Sequence, residues 1–144
     1  MKGEYRAKTF SVGIMAAGAD FFTHHFFGPG RWEGKAFFPF EKAKGWGYNL
    51  FRLNGRDGKD SLSRTRKMNT FVGPSLLDGK PSFHLDYGPY NGGAVGSMRD
   101  EIRMINHNLY IGMGHMALGG GSINPAPFLL IGPPEKWIGL DRVE

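Results

Sequence analysis

Glycine is scattered along the whole of this chain, 23 of 144 residues, about twice its usual share. Each glycine inside a helix costs about 1 kcal/mol relative to alanine, which argues against a helical bundle. Aromatic residues make up 14%, whereas disordered chains are depleted of them. What remains is one compact domain over residues 1–144, built mainly of short extended segments joined by turns.

The turn signals mark out those segments. Residues 5–12 read as a strand. Residues 16–27 read as a short helix near the N-terminus, with Asp20 as a cap and Gly28-Pro29-Gly30 as its end. Strands follow at 32–38, 46–53, 62–72, 80–87, 96–105, 109–118 and 127–131, with a further short one at 137–140. Asn54-Gly55, Asp57-Gly58, Asp78-Gly79, Gly88 to Gly93, Asn106-His107-Asn108 and Gly119 to Gly121 separate them. Asp78-Gly79 reads as a two-residue hairpin turn, which needs positive φ at both central positions. About eight or nine short, hairpin-linked strands predict an all-β fold, a sandwich or an up-and-down antiparallel barrel.

Gly30-Arg31-Trp32-Glu33-Gly34 spells G-x-W-x-G, and Asp86-Tyr87-Gly88-Pro89-Tyr90 spells D-Y-x-x-Y. These elements resemble the calycin group of barrels, the lipocalin-like and small-barrel GXWXG proteins. The resemblance covers about ten residues and selects the barrel of the two architectures. It implies an internal pocket, with Trp32 closing one end. The strand-like stretch ahead of the G-x-W and the missing disulfide set the chain apart from secreted lipocalins.

Charge and composition narrow the function classes. The net charge is +5, dispersed among acids, with Arg64, Arg66 and Lys67 as its densest cluster. Trp46, Tyr48 and Phe51 near Arg52 and Arg56 could stack on bases, but the cations are scattered among acids and nucleic acid is not the expected partner. There is no cysteine, which rules out disulfides, thiolate metal sites and thiol catalysis. The Met1 to Arg6 stretch lacks the apolar core of a signal peptide. No apolar run reaches the roughly 18 residues of a membrane span. A cytoplasmic protein without membrane contact is expected.

The candidate site comes from strand faces. If Asp78-Gly79 are the central turn residues, Val72 lies opposite Leu85 and Thr70 opposite Tyr87. Phe83, Leu85 and Tyr87 then share an apolar face that Met68, Arg66 and Arg64 continue. Either a bulge turns those arginines outward, or they line a barrel mouth suited to a carboxylate or phosphate. A two-residue turn at His107-Asn108 would pair Met104 with Ile111, Ile102 with Met113 and Asp100 with His115. Opposed Cβ atoms lie about 4.5–5.5 Å apart, and a carboxylate beside an imidazole fixes its tautomer, as a general base requires. A three-residue turn, Asn106-His107-Asn108, would instead set Arg99 opposite His115 and Glu101 opposite Met113.

The expected function is binding of a small hydrophobic or amphipathic molecule in the barrel interior. Met98, Ile102, Met104 and Met113 would line it, with Tyr87 and Arg103 orienting the ligand. The alternative is a cofactor-independent isomerase, cyclase or lyase acting on an apolar metabolite in the same pocket. There His115 would be the base, Asp100 its orienter, and Tyr87 or Arg103 the stabiliser of negative charge. No cofactor and no metal are expected, since the adjacent His24 and His25 do not share a helix face. A homodimer stays open.

Overall fold

A strand with one apolar face leaves two edges of unpaired backbone, and only closure into a barrel removes every edge. In the computed structural model, which describes residues 1–10, 16–55 and 57–141, eight antiparallel strands do this. They are β1 (Gly3–Thr9), β2 (Arg31–Glu41), β3 (Lys44–Leu53), β4 (Ser61–Pro74), β5 (Pro81–Asp86), β6 (Arg99–Asn106), β7 (Leu109–His115) and β8 (Ala126–Glu135). Each pairs with the next, and β8 returns to β1. A helix, α1 (Ala16–His25), lies between β1 and β2, and a single helical turn, α2 (Gly93–Gly96), precedes β6. The up-and-down barrel with a short N-terminal helix is one of the two architectures that the turn pattern allowed, and the sandwich is not formed.

Several boundaries differ from the expectation. The first strand ends at Thr9, leaving Phe10 outside it, and 11–12 of the proposed segment lie outside the described residues. Asp20 lies within α1 rather than at its start. The α2 turn takes Gly96, the first residue expected for the sixth strand, which begins at Arg99. Residues 137–140 form no strand. They pack on the barrel's outer face instead, where the Trp137 ring lies 4.5 Å from Tyr48 and 4.8 Å from Trp46. Ile138 and Gly139 donate their backbone N–H groups to Tyr48 Oη, and Asp141 exchanges hydrogen bonds with the Arg64 backbone.

The hairpin after β4 is longer than two residues. Pro74 pairs with Pro81, so residues 75–80 form the loop, and Val72 faces Phe83 rather than Leu85. The shift is two residues, an even number, so the faces are kept. Leu85 and Tyr87 are fully buried, and Phe83 packs against the same core. The loop folds back on the outer face because Glu101 accepts from the Leu76 N–H and Arg103 forms a two-pronged ion pair with Asp78.

Aromatic rings fill the interior. Tyr5, Phe27, Trp32, Phe37, Phe51, Tyr87 and Phe128 belong to one buried cluster. The glycines of G-x-W-x-G have a steric role: a Cβ at Gly34 would collide with the carbonyl oxygen of Tyr5 on β1, and one at Gly30 with that of Arg52. Trp32 between them is 5% exposed, edge-on to Phe128 at 5.5 Å.

Bulges on β2, β4 and β6 set which of the candidate side chains face inward. On β2, Trp32 pairs with Phe51 but Gly34 with Leu50, leaving Glu33 as an extra residue. On β4, Met68 pairs with Gly47 but Thr65 with Asn49, so Arg66 and Lys67 together face Tyr48, with Arg66 at φ +58°. On β6, Asn106 pairs with Leu109 but Met104 with Tyr110, leaving Ile105 extra. Of the two accounts of the arginines, the bulge is the one realised. Arg64 turns outward onto Glu4 at 2.8 Å, and Arg66 donates to the Phe27 carbonyl. Among the described residues no pair of guanidinium groups lines a barrel mouth there.

Candidate functional site

Strict alternation from Trp32 would put Lys35 on the outer face, three positions away. The extra residue at Glu33 reverses this, and Trp32 and Lys35 both enter the barrel. Lys35 pairs with Asn49, which also points inward. Asp100 enters from β6, opposite Gly114, and Tyr87 from just beyond β5. These groups meet in the interior. Lys35 Nζ donates to Asn49 Oδ1 at 2.9 Å, to Tyr87 Oη, and to Asp100 Oδ2 at 2.8 Å. Trp32 Nε1 donates to Asn49 Oδ1 at 3.1 Å, and Tyr87 Oη donates to Asp100 Oδ2 at 3.1 Å.

Rings enclose the ammonium group. Nζ lies 5.0–5.4 Å from the ring centres of Phe27, Trp32, Tyr87 and Phe128. Such rings attract a cation by their quadrupoles while keeping water away from it. Burial holds the Lys35 amine below the usual lysine range, and the Asp100 charge opposes that shift. Burial also pushes the Tyr87 phenol well above its ordinary value, reinforced by the negative charge of Asp100.

One oxygen of this network is unused. Asp100 Oδ1 is buried and has no hydrogen-bond partner among the described residues. It lies beside Gly114, where a Cβ would approach it to 3.0 Å. Buried polar atoms are nearly always satisfied. The arrangement therefore offers an acceptor for a donor in an interior walled by aromatic rings.

The residues expected from the sequence separate into two groups. Tyr87 and Asp100 are in this network, and Met98 and Ile102 pack in the core around it. The others lie elsewhere. The His107-Asn108 turn has two residues, with Asn108 at φ +66°, but the bulge at Ile105 slips the remaining pairs by one. Arg99 faces His115, Glu101 faces Met113, and Asp100 faces Gly114. Asp100 and His115 are thus on opposite faces of the sheet, and the carboxylate does not orient the imidazole. Met113 shares the outer face with His115 and Glu101. Arg103 is outside, bound to Asp78, and Met104 is 68% exposed at the hairpin end.

Lys35 and Asn49 were missed. The only local signal for Lys35 is its place directly after the second glycine of G-x-W-x-G. A bulge there is a pairing event, invisible to a count along one strand. For Asn49 the signal was a polar residue flanked by Tyr48 and Leu50 in an otherwise apolar run.

Among the described residues no group of three His, Asp or Glu could hold a metal ion, and no helix is long and apolar enough to cross a membrane. Compared with protein families, curated proteins and solved structures, the chain shows no match.

Proposed function

We propose that the barrel interior binds one small amphipathic molecule, in the way the calycin resemblance implies. The aromatic wall of Phe27, Trp32 and Phe128 takes the apolar body, and the Lys35–Asp100–Tyr87–Asn49 network takes the polar head. The observation that carries this reading is the buried, unpartnered Asp100 Oδ1 beside Gly114, on the carboxylate that holds Lys35. A ligand hydroxyl or amide N–H is the group that complements it. Apolar burial supplies the affinity and the polar group the orientation, the usual division in such sites.

Phe27 covers the network from the α1 side. Its ring is 2% exposed and edge-on to Phe51 and Tyr87, and Arg66 pins its carbonyl at 2.8 Å.

Native mass spectrometry of the purified protein, followed by titration with a long-chain alcohol and the alkane of equal length, tests the reading. Saturable 1:1 binding of the alcohol in preference to the alkane is expected. The preference should disappear in the double variant Lys35→Met/Asp100→Leu, which keeps the interior apolar. No retained molecule and no saturable binding by the wild-type protein would refute it.

A further inference from the structure

The geometry points to Lys35 as a covalent anchor that forms a Schiff base with an apolar aldehyde held in the barrel interior, with Asp100 as proton carrier and counter-ion. This rests on the reading of the interior as a ligand site and names the ligand class.

The argument begins with what surrounds the amine. Lys35 is 1% exposed, whereas every other lysine of the chain is exposed or half-buried. A lysine becomes a nucleophile when its surroundings favour the neutral amine, which is the use of desolvated lysines in carbonyl chemistry. Burial acts in that direction here. A second requirement is a group that takes the ammonium proton and returns it. Asp100 Oδ2 is 2.8 Å from Nζ. A third is exclusion of water, since water hydrolyses the product, and the four rings around Nζ serve that end. An aldehyde on an apolar chain matches the wall, and its small, unbranched carbonyl carbon suits an amine held among rings.

The steps balance without any further reactant. The Lys35 ammonium passes a proton to Asp100 Oδ2, leaving a neutral amine and a carboxylic acid. The nitrogen lone pair adds to the carbonyl carbon, and the C=O π pair moves to oxygen. One nitrogen proton shifts to that oxygen, giving a neutral carbinolamine. Asp100 then protonates the hydroxyl, which leaves as water, and the remaining nitrogen lone pair forms C=N. The sum is ammonium plus aldehyde to iminium plus water, with charge conserved. The iminium stands beside the regenerated Asp100 carboxylate. Tyr87 Oη, within hydrogen-bond reach of both Nζ and Asp100, positions the carbonyl oxygen during addition.

The test uses the full chain, a conjugated straight-chain dienal as probe, and sodium cyanoborohydride to trap the imine. The corresponding dienol, which cannot form an imine, is titrated in parallel. Intact mass and peptide mapping should locate one reduced adduct at Lys35 in preference to the exposed lysines, with a red-shifted absorption before reduction. The Lys35→Arg variant, which keeps a cation for Asp100, should lose that adduct. Dienol binding with adducts only on exposed lysines would overturn the anchor and leave the binding reading standing. Failure of dienol and dienal alike to reach the interior would overturn both. Because trapping is read on the wild-type protein, the test does not depend on whether the variant folds.

Discussion

Lys35 and Asp100 form an ion pair across the lumen of the barrel: Nζ and Oδ2 are 2.8 Å apart, on strands β2 and β6, which are not neighbours in the sheet. Both side chains are 2% exposed. A pair this deep need not add net stability, because desolvating two charges offsets their attraction, but removing one partner leaves the other uncompensated. The substitution Lys35→Met should therefore cost about 3–5 kcal/mol. The double variant Lys35→Met/Asp100→Leu should recover most of it. Urea unfolding of wild type, single and double variants gives the coupling, and additive losses would show that the two charges do not depend on each other.

Trp32 combines a ring contact with a buried hydrogen bond to Asn49. Trp32→Ala should destabilise the protein by about 3–5 kcal/mol, the range for deleting a large aromatic from a core. Trp32→Phe keeps the ring but strands Asn49 Oδ1 with Lys35 as its only donor, and should fall between the two. Thermal melts decide. An unchanged midpoint for the alanine variant would contradict the burial of Trp32.

Gly112 on β7 lies under the Phe128 ring, where a Cβ would collide with three ring carbons. Overpacking of this kind costs about 1–3 kcal/mol, so Gly112→Ala should lower stability by that amount. Phe128→Leu in the same chain should relieve part of the loss, because a smaller side chain vacates the space. If the two losses simply add in denaturant melts, the clash is not with Phe128.

The Tyr48 phenol is pushed up to about 12, chiefly by burial and by its hydrogen bond to the Glu4 carboxylate. A folded-state value above the unfolded one near 10 means that the unfolded chain releases this proton first. Stability should therefore fall as pH rises from 10 through about 12. Tyr87 contributes in the same direction. Tyr48→Phe should flatten the fall without abolishing it, and should free the 137–141 segment from two of its hydrogen bonds. Denaturation midpoints above pH 9 and the rate of proteolytic clipping near Trp137 read the two effects; a slope unaltered by the substitution would remove Tyr48 from the account.

Arg103 and His115 are outside the interior network, although the sequence pattern suggested both as site residues. Arg103→Ala and His115→Ala should leave binding of an apolar probe unchanged. A lost affinity in either variant, with an intact melt, would mean that the ligand site is on the outer face near β6 and β7.

The barrel itself was legible in the chain because turn chemistry and strand alternation are local. Asn-Gly and Asp-Gly pairs, the G-x-W-x-G glycines and the Phe83–Leu85–Tyr87 face each carry their information within a few residues. The interior site was half legible. Tyr87 and Asp100 were on it by any register that kept their faces. Lys35 entered it and His115 left it through bulges at Glu33 and Ile105. A bulge sets two residues against one on the partner strand and reverses every face beyond it. Its position depends on how two strands fit across the sheet and around a closed barrel, so no single strand records it. The hairpin at His107-Asn108 shows this most directly: its two-residue turn was one of the two the sequence left open, and one extra residue at Ile105, placed by tertiary packing, produced the strand pairs expected of the other and changed which residue faces Asp100.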